Sequence, residues 1–330
     1  MTRPEERARG TLHGLAIGDA LGMPTQSLSR QRVKDTYGVL TGFLPAAPDH
    51  PLAAGMPAGS VTDDTEQALL LARLLIEGAG HVDPVALAHS LLEWEEEMRR
   101  RGSLDLLGPS TKRAVAAVAA GASVEEAGRY GDTNGAAMRI APVGITAGSD
   151  LTALVDSVVE ASSVTHNTSV ALAGAAAVAA AVSAGIDGAD VKEATRHAED
   201  AAAMGVRRGH WVAAADIASR IRWATELVAG RPAEAAADDI YRLVGTSLAT
   251  QESVPAAFAI LAVYPDDPWQ ACLRAASLGG DCDTIAAIAG AIAGACHGVA
   301  GFPRDAIDTI RAVNALPLDD LAGRLLALRP

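Results

Sequence analysis

The stretch Gly279-Gly280-Asp281-Cys282-Asp283-Thr284, followed by the apolar run 285–296, decides how this chain folds. Gly-Gly lets the backbone turn without a Cβ penalty, and the alanine-rich run after it reads as a long helix. The acids then fall at the mouth of that helix, where its dipole stabilises negative charge. Taken alone the pattern is that of a helix start, since Asp is a good cap. Apolar residues make up 49% of the chain but aromatics only 3%, so Ala, Leu and Val must build the core. Alanine favours helices, and small side chains let them pack closely.

Working outward, residues 5–22 read as a first helix in which Gly10, Gly14, Gly18 and Gly22 recur every four residues. That spacing leaves one face nearly bare, at about 1 kcal/mol per glycine, and predicts close approach by a neighbouring backbone. Residues 30–60, rich in Pro and Gly, read as one long loop, and loops of that length are often functional. Helical patterns follow over 68–78, 84–101, 109–121, 123–129, 136–144, 150–162, 167–185, 190–203, 211–229, 232–244, 254–263, 267–278, 284–298, 304–313 and 318–328. There is no sustained strand alternation, tandem repeat or low-complexity linker. The expectation is a single all-α domain spanning 1–330.

A formal charge of −13 argues against a nucleic-acid surface. The three cysteines, Cys272, Cys282 and Cys296, show no CxxC spacing, and no signal-peptide pattern opens the chain. Both features point to a reducing cytoplasm. The uncharged stretch 167–186 is mostly Ala, Ser, Gly and Thr, which suits a buried helix better than a membrane span. Nothing in the sequence specifies an oligomeric state.

A second acidic cluster changes the reading of the first. Thr62-Asp63-Asp64-Thr65 also stands at a helix mouth, and Asp64 with Gln67 or Asp63 with Glu66 fits a capping pattern. A cap needs only one acid, however. The two clusters together offer four carboxylates and several hydroxyls, an oxygen-rich set suited to Mg²⁺ or Mn²⁺ rather than zinc. Of the other candidates, Asn134-Gly135 is first a turn signal whose backbone N–H groups suit a phosphate or ribose oxygen. His166 reads as a helix-start histidine, and Arg139 as a salt-bridge partner. Cys282, between two acids, is a poor nucleophile.

Gly18-Asp19-Ala20-Leu21-Gly22, Thr62-Asp63-Asp64-Thr65, Asn134-Gly135-Ala136-Ala137-Met138-Arg139-Ile140-Ala141-Pro142, Thr165-His166 and Gly279–Thr284 together resemble the motifs of the ADP-ribosylglycohydrolase family, in its order and across nearly the whole chain. The resemblance implies an all-α orthogonal bundle with two Mg²⁺ ions at the bottom of a ribose-binding cleft. It implies Thr62, Asp63 and Asp64 as metal ligands on one side and Asp281, Asp283 and Thr284 on the other. Asp19 would support the cluster, and Asn134, Gly135, His166 and Gln26 would face substrate. Asp63, Asp64 and Asp283 are the candidates for activating water.

One departure stands out. Gln26 occupies the position where the family usually has Glu, and an amide can neither take a proton nor neutralise a cation. The expected function is therefore a magnesium-dependent hydrolase of an N- or O-glycosidic bond to a ribosyl group, in an ADP-ribosylated protein or a small ribosyl metabolite. The alternative is a catalytically weak or inactive member that binds ADP-ribose or serves a structural role. Neither reading calls for a nucleic-acid or membrane partner.

Overall fold

Glycine and alanine set this architecture because they let helices meet backbone to backbone. The computed structural model describes residues 3–103 and 107–330. Among them are 18 α-helices, one π-helical and one 3₁₀ turn, three isolated β-bridges and no strand. The core pair is the N-terminal helix Pro4–Gly22 and the late helix Cys282–His297. A Cβ on Gly14 would lie 2.1 Å from the Gly290 carbonyl oxygen, and one on Gly18 would lie 2.0 Å from that of Ala286. The contact is reciprocal, since a Cβ on Gly290 would meet the Gly14 carbonyl oxygen at 2.0 Å. The bare face predicted on the first helix is thus filled by the helix that follows Gly279–Thr284.

Helix Ser169–Ile186 is apolar and long enough to cross a membrane, yet 94% of it is buried inside the fold. It belongs to the large alanine-rich cluster that also contains both core helices.

Several sequence expectations are corrected. Residues 30–60 are not all loop: Arg30–Tyr37 is helical, with the Ser29 hydroxyl capping Arg32 N. Its polar composition hid it, because only Arg30 and Val33 are buried. The expected helix 136–144 breaks at Ile140 into Gly135–Arg139 and Ala141–Thr146, as Pro142 has no N–H to continue the ladder. The expected helix 211–229 begins only at Ile217, where Asp216 caps it. Helix Thr250–Val263 starts four residues early and carries Pro255 inside it. Pro255 cannot donate to the Gln251 carbonyl; Arg220 Nε does so instead, at 3.3 Å. Residues 240–244 form a π turn ending at Gly245, whose φ of 90° reverses the chain into Thr246.

Candidate active site

Two helix mouths far apart in sequence meet at one cleft. Helix Asp63–Glu77 is capped by Thr62, whose hydroxyl accepts from Asp64 N, so neither Asp63 nor Asp64 is needed as the cap. Asp281 holds the cap position of Cys282–His297 but makes no capping bond with its side chain. Its carboxylate accepts from Asn134 Nδ2 at 2.5 Å instead. A carboxylate released from capping at a helix mouth is free to serve a ligand. Asp63, Asp64, Asp281, Asp283 and Thr284 all line a cleft of about 390 Å³, together with Gln26, Asn134, Gly135 and Lys112.

Backbone pairing holds the walls in register. Ser27 N donates to the Gly280 carbonyl at 2.7 Å, Gly280 N to Leu28 O at 2.8 Å, and Asp281 N to Thr246 O at 2.7 Å. Asn134 N donates to Leu248 O at 3.0 Å. The π turn therefore places a loop, 246–249, that ties the Asn134 turn to the Asp281 turn. Ser27 itself sits at φ 58°, a region that costs a non-glycine residue energy and recurs at functional sites.

The charges in the cleft repel. Burial, then the negative charges of Asp63, Asp283, Asp19 and Asp281, push Asp64 well above the usual carboxylate range. Among the described residues its buried Oδ1 has no hydrogen-bond partner, while Thr284 Oγ1 donates to Oδ2 at 3.3 Å. Burial also raises Asp281, against the hydrogen bonds from Asn134 and Thr284. An orphaned carboxylate oxygen among like charges and a hydroxyl fits a hard cation in its chemistry. The arrangement is not a closed ligand cage: among the described residues no three His, Cys, Asp or Glu side chains gather tightly enough to hold an ion. The agreement with a hard cation is one of donor type and charge.

Other expected residues lie behind the cleft wall. Asp19 is fully buried; its carboxylate accepts from Thr62 N, Thr62 Oγ1, Thr65 N and Thr65 Oγ1. Burial raises its pKa to about 6, those bonds opposing. Asp19 therefore positions the Asp63 mouth from behind the wall and is not among the residues that line the cleft. Thr62, expected as a metal ligand, is not among the residues that line the cleft; its hydroxyl donates to Asp19 and accepts from Asp64 N, which braces the mouth. His166 is also sealed away, between the hydroxyls of Thr133 (3.1 Å) and Thr165 (2.8 Å). A Cβ on Gly135 would sit 2.9 Å from the His166 ring, so glycine is required there. Burial, with Arg139 and Arg113 adding to it, keeps His166 neutral.

Among the described residues Arg139 forms no salt bridge. It is wholly buried, donating to Gln67 Oε1 at 3.2 Å and to Thr165 Oγ1 at 2.5 Å. Burial lowers it to about 10, with the charge of Asp63 opposing. Gln67 passes the contact on, its Nε2 donating to Asp63 Oδ2 at 2.9 Å. Asp63 and Gln67 are four residues apart and so meet on one helix face, but no local pattern marks Arg139 as the root of this relay. Gln26 does reach the cleft, buried with its Nε2 unpartnered. His50 Nε2 donates to the Gln26 carbonyl at 3.0 Å, while its Nδ1 accepts from Ala53 N. Burial drives the Cys282 thiol up to about 12, ahead of the Asp283 charge, which removes it as a nucleophile.

The family profile of the ADP-ribosylglycohydrolases matches residues 1–330. The chain belongs to the ADP-ribosylglycohydrolase family. That makes it a member of a family of glycosidic-bond hydrolases. YegU, an uncharacterized protein of Escherichia coli K12, is 36% identical over 326 residues, covering 98% of this chain and 97% of its own length. The ADP-ribosylarginine hydrolase Tri1 of Pseudomonas putida GB-1 is 31% identical over 314 residues, 92% of this chain and 74% of its own. A solved structure of an ADP-ribosylglycohydrolase-related protein complex shares the fold, with a TM-score of 0.74 at 24% identity over 100% of both chains.

Proposed function

We propose that this ADP-ribosylglycohydrolase is a magnesium-dependent hydrolase of an N- or O-glycosidic bond to a ribosyl group. The substrate is an ADP-ribosylated protein or a small ADP-ribosyl or ribosyl metabolite. The observation that carries the proposal is the meeting of Asp63, Asp64, Asp281, Asp283 and Thr284 on one cleft, with Asp64 Oδ1 buried and unpartnered.

Those five residues would hold Mg²⁺ or Mn²⁺, two ions in this reading. When bound, the metal supplies charge neutralisation and Lewis-acid polarisation. The chain's own groups do the rest. Asp63, half-buried and held by Gln67, is the aspartate best placed to take a proton from water. The negative wall favours the positive charge that develops at the anomeric carbon in an oxocarbenium-like transition state. Gln26 donates through its Nε2 to a substrate oxygen, and Lys112, which also lines the cleft, supplies a cation. Asn134 orients Asp281 and cannot itself titrate.

Calorimetric titration with Mg²⁺, followed by turnover of ADP-ribosyl-arginine, ADP-ribosyl-serine and simple nucleosides with and without chelator, tests the proposal. Asp281→Asn should weaken Mg²⁺ binding at least about tenfold, as loss of one charged ligand does. Unchanged metal affinity in that variant would remove Asp281 from the ligand set. Intact Mg²⁺ binding with no turnover of any substrate would refute the hydrolase assignment.

A further inference from the structure

Behind Asp63 lies a second chamber of about 500 Å³, which shares Leu52 and Asp63 with the cleft. Its wall is built by Glu66, Trp94, Met98 and Arg101. Trp94 Nε1 donates to Glu66 Oε2 at 2.6 Å, which anchors the indole to the first turn of the Asp63 helix. Glu66 and Asp63 are three residues apart and so share a helix face. Arg101 reaches Glu66 at 3.5 Å but is held more closely by Glu97, at 2.9 Å. Asn314 closes the floor, donating to the Gly59 carbonyl at 2.8 Å and accepting from Val61 N at 3.1 Å.

The distribution of aromatic residues separates the two chambers. Among the described residues no aromatic side chain lines the cleft, whereas Trp94 lines the second chamber. Tyr130, near the cleft in sequence, is 71% exposed and lines neither chamber. A flat ring therefore finds its stacking surface beyond Asp63, and Glu66 lies beside it to accept an N–H. A diphosphate placed there would face the carboxylates of Asp63 and Glu66. Resting on the reading that the cleft cleaves a ribosyl bond, we propose that the Trp94 chamber is the leaving-group site and that it takes a nitrogen heteroaromatic base. Ribose then occupies the acidic cleft, the base occupies the second chamber, and the scissile bond lies between them at Asp63.

The reaction is hydrolysis of an N-riboside. The oxygen of water bonds to the anomeric carbon as the bond from that carbon to the ring nitrogen breaks. The nitrogen keeps the bonding pair and gains one proton, which balances the proton lost by water.

Free adenine, titrated by calorimetry in the presence of Mg²⁺, is the probe. The intact protein should bind it saturably. Trp94→Leu should weaken binding about tenfold, the usual scale for loss of one base-stacking surface, and Trp94→Phe, which keeps a ring but loses the N–H that Glu66 accepts, should weaken it less than Trp94→Leu does. Glu66→Ala, which frees the indole, should weaken binding about threefold or more; it serves as the second probe if Trp94→Leu does not fold. Tyr130→Leu should bind as wild type does. The kcat/KM for adenosine should fall in Trp94→Leu in step with adenine affinity, with Mg²⁺ affinity unchanged. Absent adenine binding, or equal binding in Trp94→Leu and Glu66→Ala, overturns the proposal even if an ADP-ribosyl substrate is turned over, and leaves the hydrolase reading standing. Trp94-dependent adenine binding without Mg²⁺-dependent turnover supports the chamber and refutes the hydrolase reading instead.

Discussion

Asp19 shows how a buried acid can serve a site it never touches. Both carboxylate oxygens accept hydrogen bonds from the Thr62–Thr65 turn, which holds Asp63 and Asp64 at the cleft. Asn at this position would turn an amide donor toward those donors. Asp19→Asn should therefore cost about 1–3 kcal/mol, the penalty for leaving buried donors unmet. Urea unfolding measures that cost, and the same variant should bind Mg²⁺ more weakly. Arg139 works through Gln67 in the same way, from the opposite side of the Asp63 helix. Arg139→Met should lose roughly 1.5–3 kcal/mol through its charged hydrogen bonds, with a lower thermal midpoint and a displaced Asp63. A thermal midpoint equal to that of wild type would show that the buried guanidinium does not support the fold.

At the scale of the element, the interlock of Pro4–Gly22 with Cys282–His297 places the metal-side acids. Gly22 abuts the Asp283 backbone, where a Cβ would lie 2.3 Å from Asp283 Cα. Neither helix can shift without moving that aspartate. Gly290→Ala should cost about 1–3 kcal/mol or more, as overpacking does in a filled core. It should also lower Mg²⁺ affinity, although residue 290 is two turns from the cleft. A variant with wild-type unfolding would show that the helices have room to separate. The glycine spacing pointed to this contact in advance, because a bare face is written in the order of residues. The Arg30–Tyr37 helix was not visible in the same way, since its polar sequence carries little periodicity and a single Ser29 cap sets its start.

For the molecule as a whole, acid sensitivity follows from histidines folded in neutral form. His13 is buried, and burial lowers its pKa below 6.5 despite the hydrogen bond to Asp319. As pH falls below 6.5 the unfolded chain takes up this proton first, so the native state binds fewer protons and loses stability. Asp19 and Asp64, raised in the native state, act with the opposite sign. The comparison of wild type with His13→Gln cancels their effect. The stability lost between pH 7 and pH 5, read from urea midpoints, should be smaller in the variant. An equal loss would mean that His13 titrates normally. Asp319 acts with the same sign as His13, at lower pH. Burial raises it, but bonds from Arg9 and His13 outweigh that and bring it to about 2. Its contribution is present above its unfolded value and is lost only as pH falls toward 2.

What the sequence determined by itself was whatever lies in the order of residues along one helix. That includes the helical class, the glycine face, the two acidic mouths and the motif set of the family. Each is a local pattern, set by backbone propensity and by the period at which side chains recur. Tertiary structure alone decided which side chains reach the cleft. Asp281 keeps the cap position but gives its carboxylate to Asn134, which arrives from elsewhere in the chain. Asp19 and His166 are withdrawn because the Thr62–Thr65 turn and the hydroxyls of Thr133 and Thr165 close over them. Trp94 becomes an anchored wall because Glu66 of another helix accepts its N–H. Burial and hydrogen-bond partners are relations between distant segments, and they exist only once the chain has folded.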